Sequence, residues 1–308
     1  IKPLLFAAAV TDGRIGIDET IDCAGHYYPG REDRFRCWIY RDHYGFATHG
    51  PLDIGEALMR SCNIYFYDLA DRLGREGIVR WLRGFGLDEP LRIGLLHERD
   101  GGVRGEAGGN VPARPVSLPQ LGIGQGELLW APGQAANAYA TFARGGVLRD
   151  ARLVADEGLL SERRSGDLGL DRKAIDAALS GMRRVVEDRD GTGGALRYES
   201  GYREPIFDLP GVVVWGKTGT AQAPARRIDV DGDGAFGGAE DRTVRGLAHA
   251  WYAALVGLES DQRPRYVIIA LVEHGESGGR ASGPIVSGVI RALQDEGYLD
   301  SDSDGPPS

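Results

Sequence analysis

Long apolar runs are missing from this 308-residue chain. The longest, such as Tyr266-Val-Ile-Ile-Ala-Leu-Val272, have strand length and fall well short of the roughly 20 residues that a membrane-spanning helix needs. Basic residues are outnumbered, with 36 Lys and Arg against 45 Asp and Glu, and the net charge of −9 excludes the basic face that nucleic-acid binding requires. Part of that acidity sits in two local segments, 229–241 and 295–304. Cysteine is scarce: Cys23, Cys37 and Cys62 all fall in about the first fifth of the chain. There is no signal peptide and no opening Met, and the start at Ile1-Lys2-Pro3 reads as the interior of a longer polypeptide. What remains, 42% hydrophobic and 26% charged residues, is ordinary globular composition with enough length for a large core.

Helical spacing predicts helices over 2–13, with Pro3 in the first turn, and over 52–59, 64–73 with Gly74 as C-cap, 78–85, 132–144, 173–186 and 283–293. Apolar runs predict strands at 212–216, 249–257 and 265–272. Residues 20–50, rich in aromatics, Gly, His and charge, read as a structured loop region, and Gly/Pro-rich 99–119 as an irregular loop. Helices first, then a run of strands, then a closing helix argue an α+β fold, an antiparallel sheet flanked by an all-α subdomain. One domain spans 1–299, with an acidic insertion at 223–246 and a polar tail at 300–308.

Two stretches carry chemistry. In Val212-Val-Val-Trp215-Gly216-Lys217-Thr218-Gly219-Thr220 a strand runs into a cation, two hydroxyls and a glycine. Lys217 offers charge to a carboxylate, Thr218 and Thr220 offer hydroxyl and amide donors, and Gly219 lets a ligand lie against the backbone. Residues 229–240 match the calcium-loop pattern D-x-D-x-D-G-x₅-E, with Asp229, Asp231, Asp233 and Glu240 as side-chain ligands and Ala235 giving its carbonyl. No helix pattern precedes the loop, and Gly237-Gly238 falls where a helix should begin, so a flexible acidic surface loop is an equal reading.

Taken with Leu58-Met-Arg-Ser61-Cys62-Asn63, the stretch Lys217-Thr218-Gly219-Thr220 resembles the S-x-N and K-T-G motifs of the penicillin-binding proteins. Gly122-Ile-Gly-Gln125-Gly126, Pro132-Gly-Gln134 and Gly275-Glu-Ser-Gly278-Gly279-Arg280 resemble the same family, and Phe35-Arg-Cys37-Trp38 resembles its elongation-type class B branch. The likeness extends from residue 1 to about 295. It implies the fold shared with serine β-lactamases and a D,D-transpeptidase that forms an acyl-enzyme with peptidoglycan stem peptides and with β-lactams. It implies no cofactor for catalysis. It further implies a place on the outer face of a bacterial cytoplasmic membrane, an anchor upstream of this chain, and partnership with cell-elongation membrane proteins including a glycosyltransferase. Ile1-Lys2-Pro3 resembles the end of S-x-x-K-P, so the nucleophilic Ser is expected two residues before Ile1. In that scheme Lys2 activates the Ser, Ser61 and Lys217 relay a proton, Asn63 holds a substrate amide, and Thr218, Gly219 and Thr220 bind the terminal carboxylate and build the oxyanion hole. A non-catalytic scaffold, or a β-lactamase or β-lactam sensor of the same fold, are the alternatives.

The resemblance also implies a zinc ion behind the site, held by Cys23, Cys37, His49 and Cys62, with His43 as the alternative histidine. Relatives carry Asp where Cys23 and Cys37 stand, an exchange that zinc accepts. A Cys23–Cys37 disulfide with Cys62 as a free thiol remains the competing reading.

Overall fold

The computed structural model describes residues 1–93, 98, 101–103, 117–153, 164–223, 226–230, 232–234, 242–244 and 246–300. Its helices are α1 (Lys2–Thr11), α2 (Ile54–Met59), α3 (Asn63–Gly84), α4 (Leu118–Gly122), α5 (Pro132–Ala143), α6 (Arg172–Glu187) and α7 (Gly283–Asp295). Its strands are β1 (Ile21–Cys23), β2 (Gly50–Leu52), β3 (Gly102–Val103), β4 (Leu128–Leu129), β5 (Val147–Arg149), β6 (Ser165–Asp167), β7 (Ala195–Arg197), β8 (Arg203–Pro205), β9 (Val212–Ala221), β10 (Arg226–Ile228), β11 (Arg242–Val244), β12 (His249–Leu258) and β13 (Tyr266–Val272). The last residues, 301–308, and most of the expected loop at 99–119 lie outside the described residues.

The sheet that positions the site is antiparallel, in the order β13–β12–β9, with β9 at its edge. Side chains alternate between its faces with a period of two. Val213, Trp215, Ala253 and Leu255 enter a core shared with Phe6, Leu58, Phe66 and Met182, whereas Val214, Tyr252, Ala254 and Val256 pack with Val286 and Ile290 of α7. Helices therefore cover both faces, which is why β9 and β12 read as unbroken apolar runs rather than alternating ones. Burying each large side chain there contributes on the order of 2 kcal/mol.

The expected strand at 212–216 runs on through the K-T-G residues, pairing Lys217 with Ala253, Gly219 with Trp251 and Ala221 with His249. Its two glycines do not end it, because the neighbouring strand fills the space they leave. A Cβ on Gly216 would lie 2.4 Å from Tyr252 Oη, and one on Gly219 3.1 Å from Trp251 Cβ. The helices expected at 64–73 and 78–85 are the two halves of α3, which is broken where expected by non-helical backbone at Gly74 (φ 67°, ψ 171°). Leu73 and Ile78, on either side of the kink, bury into the same core, so the chain turns without leaving it.

Candidate active site and the cysteine cluster behind it

The turn between α2 and α3 is built by the backbone. Ser61 N–H donates to Leu58 O at 3.1 Å and Cys62 N–H to Ala57 O at 2.9 Å, the pair of bonds of a Schellman helix end. That motif needs left-handed backbone at the residue beyond the cap, usually a glycine. Ser61 takes it at φ 53°, which costs about 1–2 kcal/mol. Ser61 thus closes α2, and Cys62 occupies the N-cap position of α3. A non-glycine residue held in this conformation is a mark of a functional position.

Two amines meet at that serine. Lys2, 7% exposed at the start of α1, donates from Nζ to Ser61 O at 2.8 Å, Ser61 Oγ at 3.2 Å and Asn63 Oδ1 at 3.0 Å. Strand alternation carries Lys217 onto the same face of β9 as Val213 and Trp215, and its Nζ donates to Ser61 Oγ and to Thr218 O, both at 2.9 Å. Burial pushes the Lys2 amine down to about 8, against the opposing pull of the Cys62 and Cys37 sulfurs. Burial, with repulsion from Lys2 added, holds Lys217 well below the ordinary lysine range. The chain's lysines are Lys2, Lys173 and Lys217, so all but one are committed to this point.

Two further residues join the site: Thr192, which the sequence did not single out, and Gln125, whose family-like stretch at 122–126 carried no assigned role. Thr192 Oγ1 lies 2.9 Å from Thr218 Oγ1. Its loop is tied down by Thr192 N–H donating to Met59 O at 3.3 Å and by Tyr252 Oη donating to Gly193 O at 2.9 Å. In sequence the segment Asp190-Gly-Thr-Gly-Gly194 reads only as a helix stop. Gln125 bridges the cleft mouth, donating from Nε2 to Thr220 O at 2.6 Å and accepting Gln222 N–H at Oε1 at 3.0 Å. The cleft, about 540 Å³ and open to solvent, is lined by Ile123, Gln125, Trp130, Lys217, Thr220 and Trp251 among others.

Behind Ser61, Cys62 points away from the cleft into a cluster with Cys23, Cys37 and His49, whose ligand atoms all lie within 4.8 Å of one another. His49 Nδ1 is 3.6 Å from Cys23 Sγ and 3.5 Å from Cys37 Sγ, and Cys37 Sγ is 3.9 Å from Cys62 Sγ. A tetrahedral zinc bound to sulfur at about 2.3 Å would space its ligands about 3.8 Å apart, so the donors fit in kind, number and separation. All three cysteines are free, against the disulfide reading. Hydrogen bonds from Cys23 and Cys62 hold the Cys37 thiol far below its usual range, while that same bond to Cys37 raises Cys23 to about 11 and burial raises Cys62. His43 is not part of the cluster: it is exposed and stacks on Tyr44, with ring centroids 4.0 Å apart.

Of the expected calcium ligands, Asp231, Ala235 and Glu240 lie outside the described residues. Asp229 accepts Gly232 N–H at 2.7 Å and Gly234 N–H at 2.8 Å, and Asp233 is exposed.

A family model, the penicillin binding protein transpeptidase domain, matches residues 1–291. This chain belongs to that family. The peptidoglycan D,D-transpeptidase MrdA of Haemophilus influenzae is 26% identical over 94% of this chain and 43% of its own length. PbpA of Mycobacterium tuberculosis, another peptidoglycan D,D-transpeptidase, is 28% identical over 83% of this chain and 47% of its own. The chain thus spans under half the length of these curated relatives. Among solved structures, Pseudomonas aeruginosa PBP2 superposes with a TM-score of 0.73 at 25% identity, covering 99% of this chain and 60% of that one. These relatives bear out the penicillin-binding fold and the likeness to the elongation-type branch.

Proposed function

We propose that this chain supplies the catalytic cleft of a serine D,D-transpeptidase acting on peptidoglycan stem peptides that end in D-alanyl-D-alanine. One observation carries the reading: the half-buried Ser61 hydroxyl lies between the buried Lys2 Nζ and Lys217 Nζ, where two amines and a strained serine cost stability unless they serve chemistry. That cost also weighs against a bare scaffold.

The nucleophile is a serine two residues before Ile1 in the parent polypeptide, one helical turn ahead of Lys2 and on the same face. Lys2 takes its proton as it attacks the penultimate D-alanine carbonyl. The Thr220 N–H is one donor to the oxyanion, an interaction of on the order of 3 kcal/mol. Ser61, hydrogen-bonded to both lysines, passes the proton to the departing D-alanine amine. Thr218 and Thr220, with Thr192 beside them, hold the terminal carboxylate, Gly219 leaves the floor bare, and Asn63 holds a substrate amide. An amine from a second stem peptide then resolves the ester. Penicillin acylates the same serine. Labelling of the parent polypeptide with a fluorescent penicillin tests this, and a protein that takes up no label is not a transpeptidase of this kind.

Cys23, Cys37, His49 and Cys62 would hold zinc, which would clamp the 24–49 loop to the S-x-N turn as a structural ion with all four positions filled by protein. Calcium at 229–240 rests on its sequence pattern. Calorimetric titration with Ca²⁺ against an Asp231→Ala variant tests it, and identical flat traces remove it.

The setting is extracytoplasmic, with a membrane anchor in the parent polypeptide; among the described residues no helix is long and apolar enough to cross a membrane. A solved structure 27% identical over 98% of this chain belongs to a peptidoglycan synthase complex that coordinates polymerization and crosslinking, and a Helicobacter pylori PBP2 of the same fold is solved in complex with MreC. Those neighbours support cell-elongation proteins, including a glycosyltransferase, as partners here.

A further inference from the structure

β9 is the edge strand of its sheet, paired on one side only with β12. Its open side is nevertheless occupied by side chains. Lys217 Nζ donates to Thr218 O at 2.9 Å, and farther along the carboxamide of Gln125 gives its N–H to Thr220 O at 2.6 Å and takes the N–H of Gln222 at 3.0 Å. One carboxamide therefore does what a single residue of an added parallel strand would do, donating to one backbone carbonyl and accepting from the N–H two residues on. The two bonds are also the means by which the loop at 123–126 holds the far end of β9. Gly124 and Gly126, on either side of Gln125, both sit at φ 74°, where residues with side chains are strained. The segment can thus reorient about both neighbours, and Gln125 itself is only half-buried.

In an antiparallel strand the N–H and C=O of one residue face the same side. Because Thr220 O faces Gln125, Thr220 N–H faces outward as well. A ligand residue whose carbonyl accepts that N–H offers its own N–H to Thr220 O, the atom that Gln125 now holds. Ligand and Gln125 compete for one acceptor.

We propose that Gln125 is a displaceable cap on the outer edge of β9, a specificity-determining residue whose place at Thr220 O is taken only by a ligand with its own secondary amide. This rests on the transpeptidase reading, in which an extended peptide lies along β9. Ligands without an N–H at that place must break the Gln125 bonds and leave Thr220 O unmet, so the cap favours peptide-like acyl donors over esters and thioesters of the same shape. With a net contribution of the usual size for two such bonds, the capped state lowers apparent affinity for the peptide by about tenfold.

The test uses the full parent polypeptide with Gln125→Ala and with Gln125→Met, the latter keeping the bulk without the bonds. Amide exchange at Gln222 is followed in the ligand-free protein, and KM and kcat are measured for an N-acetylated peptide ending in D-alanyl-D-alanine. Both variants should exchange the Gln222 N–H about tenfold faster and lower KM about tenfold with kcat little changed. Unchanged exchange at Gln222 would mean that the bond is not made in solution, and an unchanged or raised KM would mean that Gln125 does not compete with the ligand; either result overturns the proposal. If the wild-type protein does not turn the peptide over yet Gln222 exchange still responds to both substitutions, the cap stands and the assigned activity falls.

Discussion

The two walls of the cleft are held in different ways. On one, the α2–α3 turn is fixed by its own backbone bonds, by Lys2 from α1 and by the cysteine cluster behind Cys62. On the other, the Gly124-Gln125-Gly126 segment meets β9 through the two hydrogen bonds of one half-buried side chain. Lys2, Ser61 and Asn63 stand together at the first wall, and Lys217 reaches Ser61 Oγ across the cleft from β9.

Substitutions among the groups that meet at Ser61 should cost activity or stability, and the largest effect is expected at Lys217, which reaches Ser61 from β9. Lys217→Ala should slow penicillin acylation on the order of a thousandfold, read as the rate of label uptake, because Ser61 Oγ loses one of its two amines. A rate within a few-fold of wild type would remove Lys217 from the proton path. Next comes the cluster. Cys37→Ser should cost about 3 kcal/mol, a fall in Tm of roughly 5–10 °C by calorimetry, since Cys37 contacts His49, Cys62 and Asn63 N–H. A chelator should reproduce that fall in the wild type and not in the variant. If neither moves Tm, the wall is not held from behind.

Ser61→Gly separates the two roles of one residue. It should raise stability by about 1 kcal/mol, because glycine adopts φ 53° without strain, while acylation falls on the order of a hundredfold for want of the hydroxyl. A destabilised Gly variant would show that the turn is not strained. The smallest effect is expected at Tyr252→Phe, which deletes the bond to Gly193 O and should cost about 1 kcal/mol in chemical denaturation. That loss should be accompanied by weaker carboxylate binding as Thr192 loosens.

Much of the frame was legible because it follows period and punctuation. Three strands and six of the helical segments announce themselves by apolar spacing, and Lys217 stands directly after an unbroken apolar run. What was not legible depended on partners far away in sequence. Strand β9 outlasts Gly216 because Tyr252 fills the gap. Thr192 is a single polar residue among glycines with nothing to flag it, and Gln125, though its stretch is family-like, gains a role only when the fold brings it to Thr220. Ser61 closes α2 through backbone bonds at a position that usually takes glycine, so its residue type does not announce the role. The cysteines and His49, dispersed over 23–62, close into one cluster, while the contiguous acidic pattern at 229 commits its first aspartate to the N–H groups of Gly232 and Gly234.

The central claim is that the Lys2–Ser61–Lys217 arrangement serves an acylated serine just ahead of Lys2. It is tested most directly by incubating the full parent polypeptide with benzylpenicillin and locating the adduct by peptide mass spectrometry. The expected result is a single penicilloyl ester on a serine two residues before Ile1, lost when Lys2 is replaced by alanine. An adduct on any other residue, or none at all, would contradict the account.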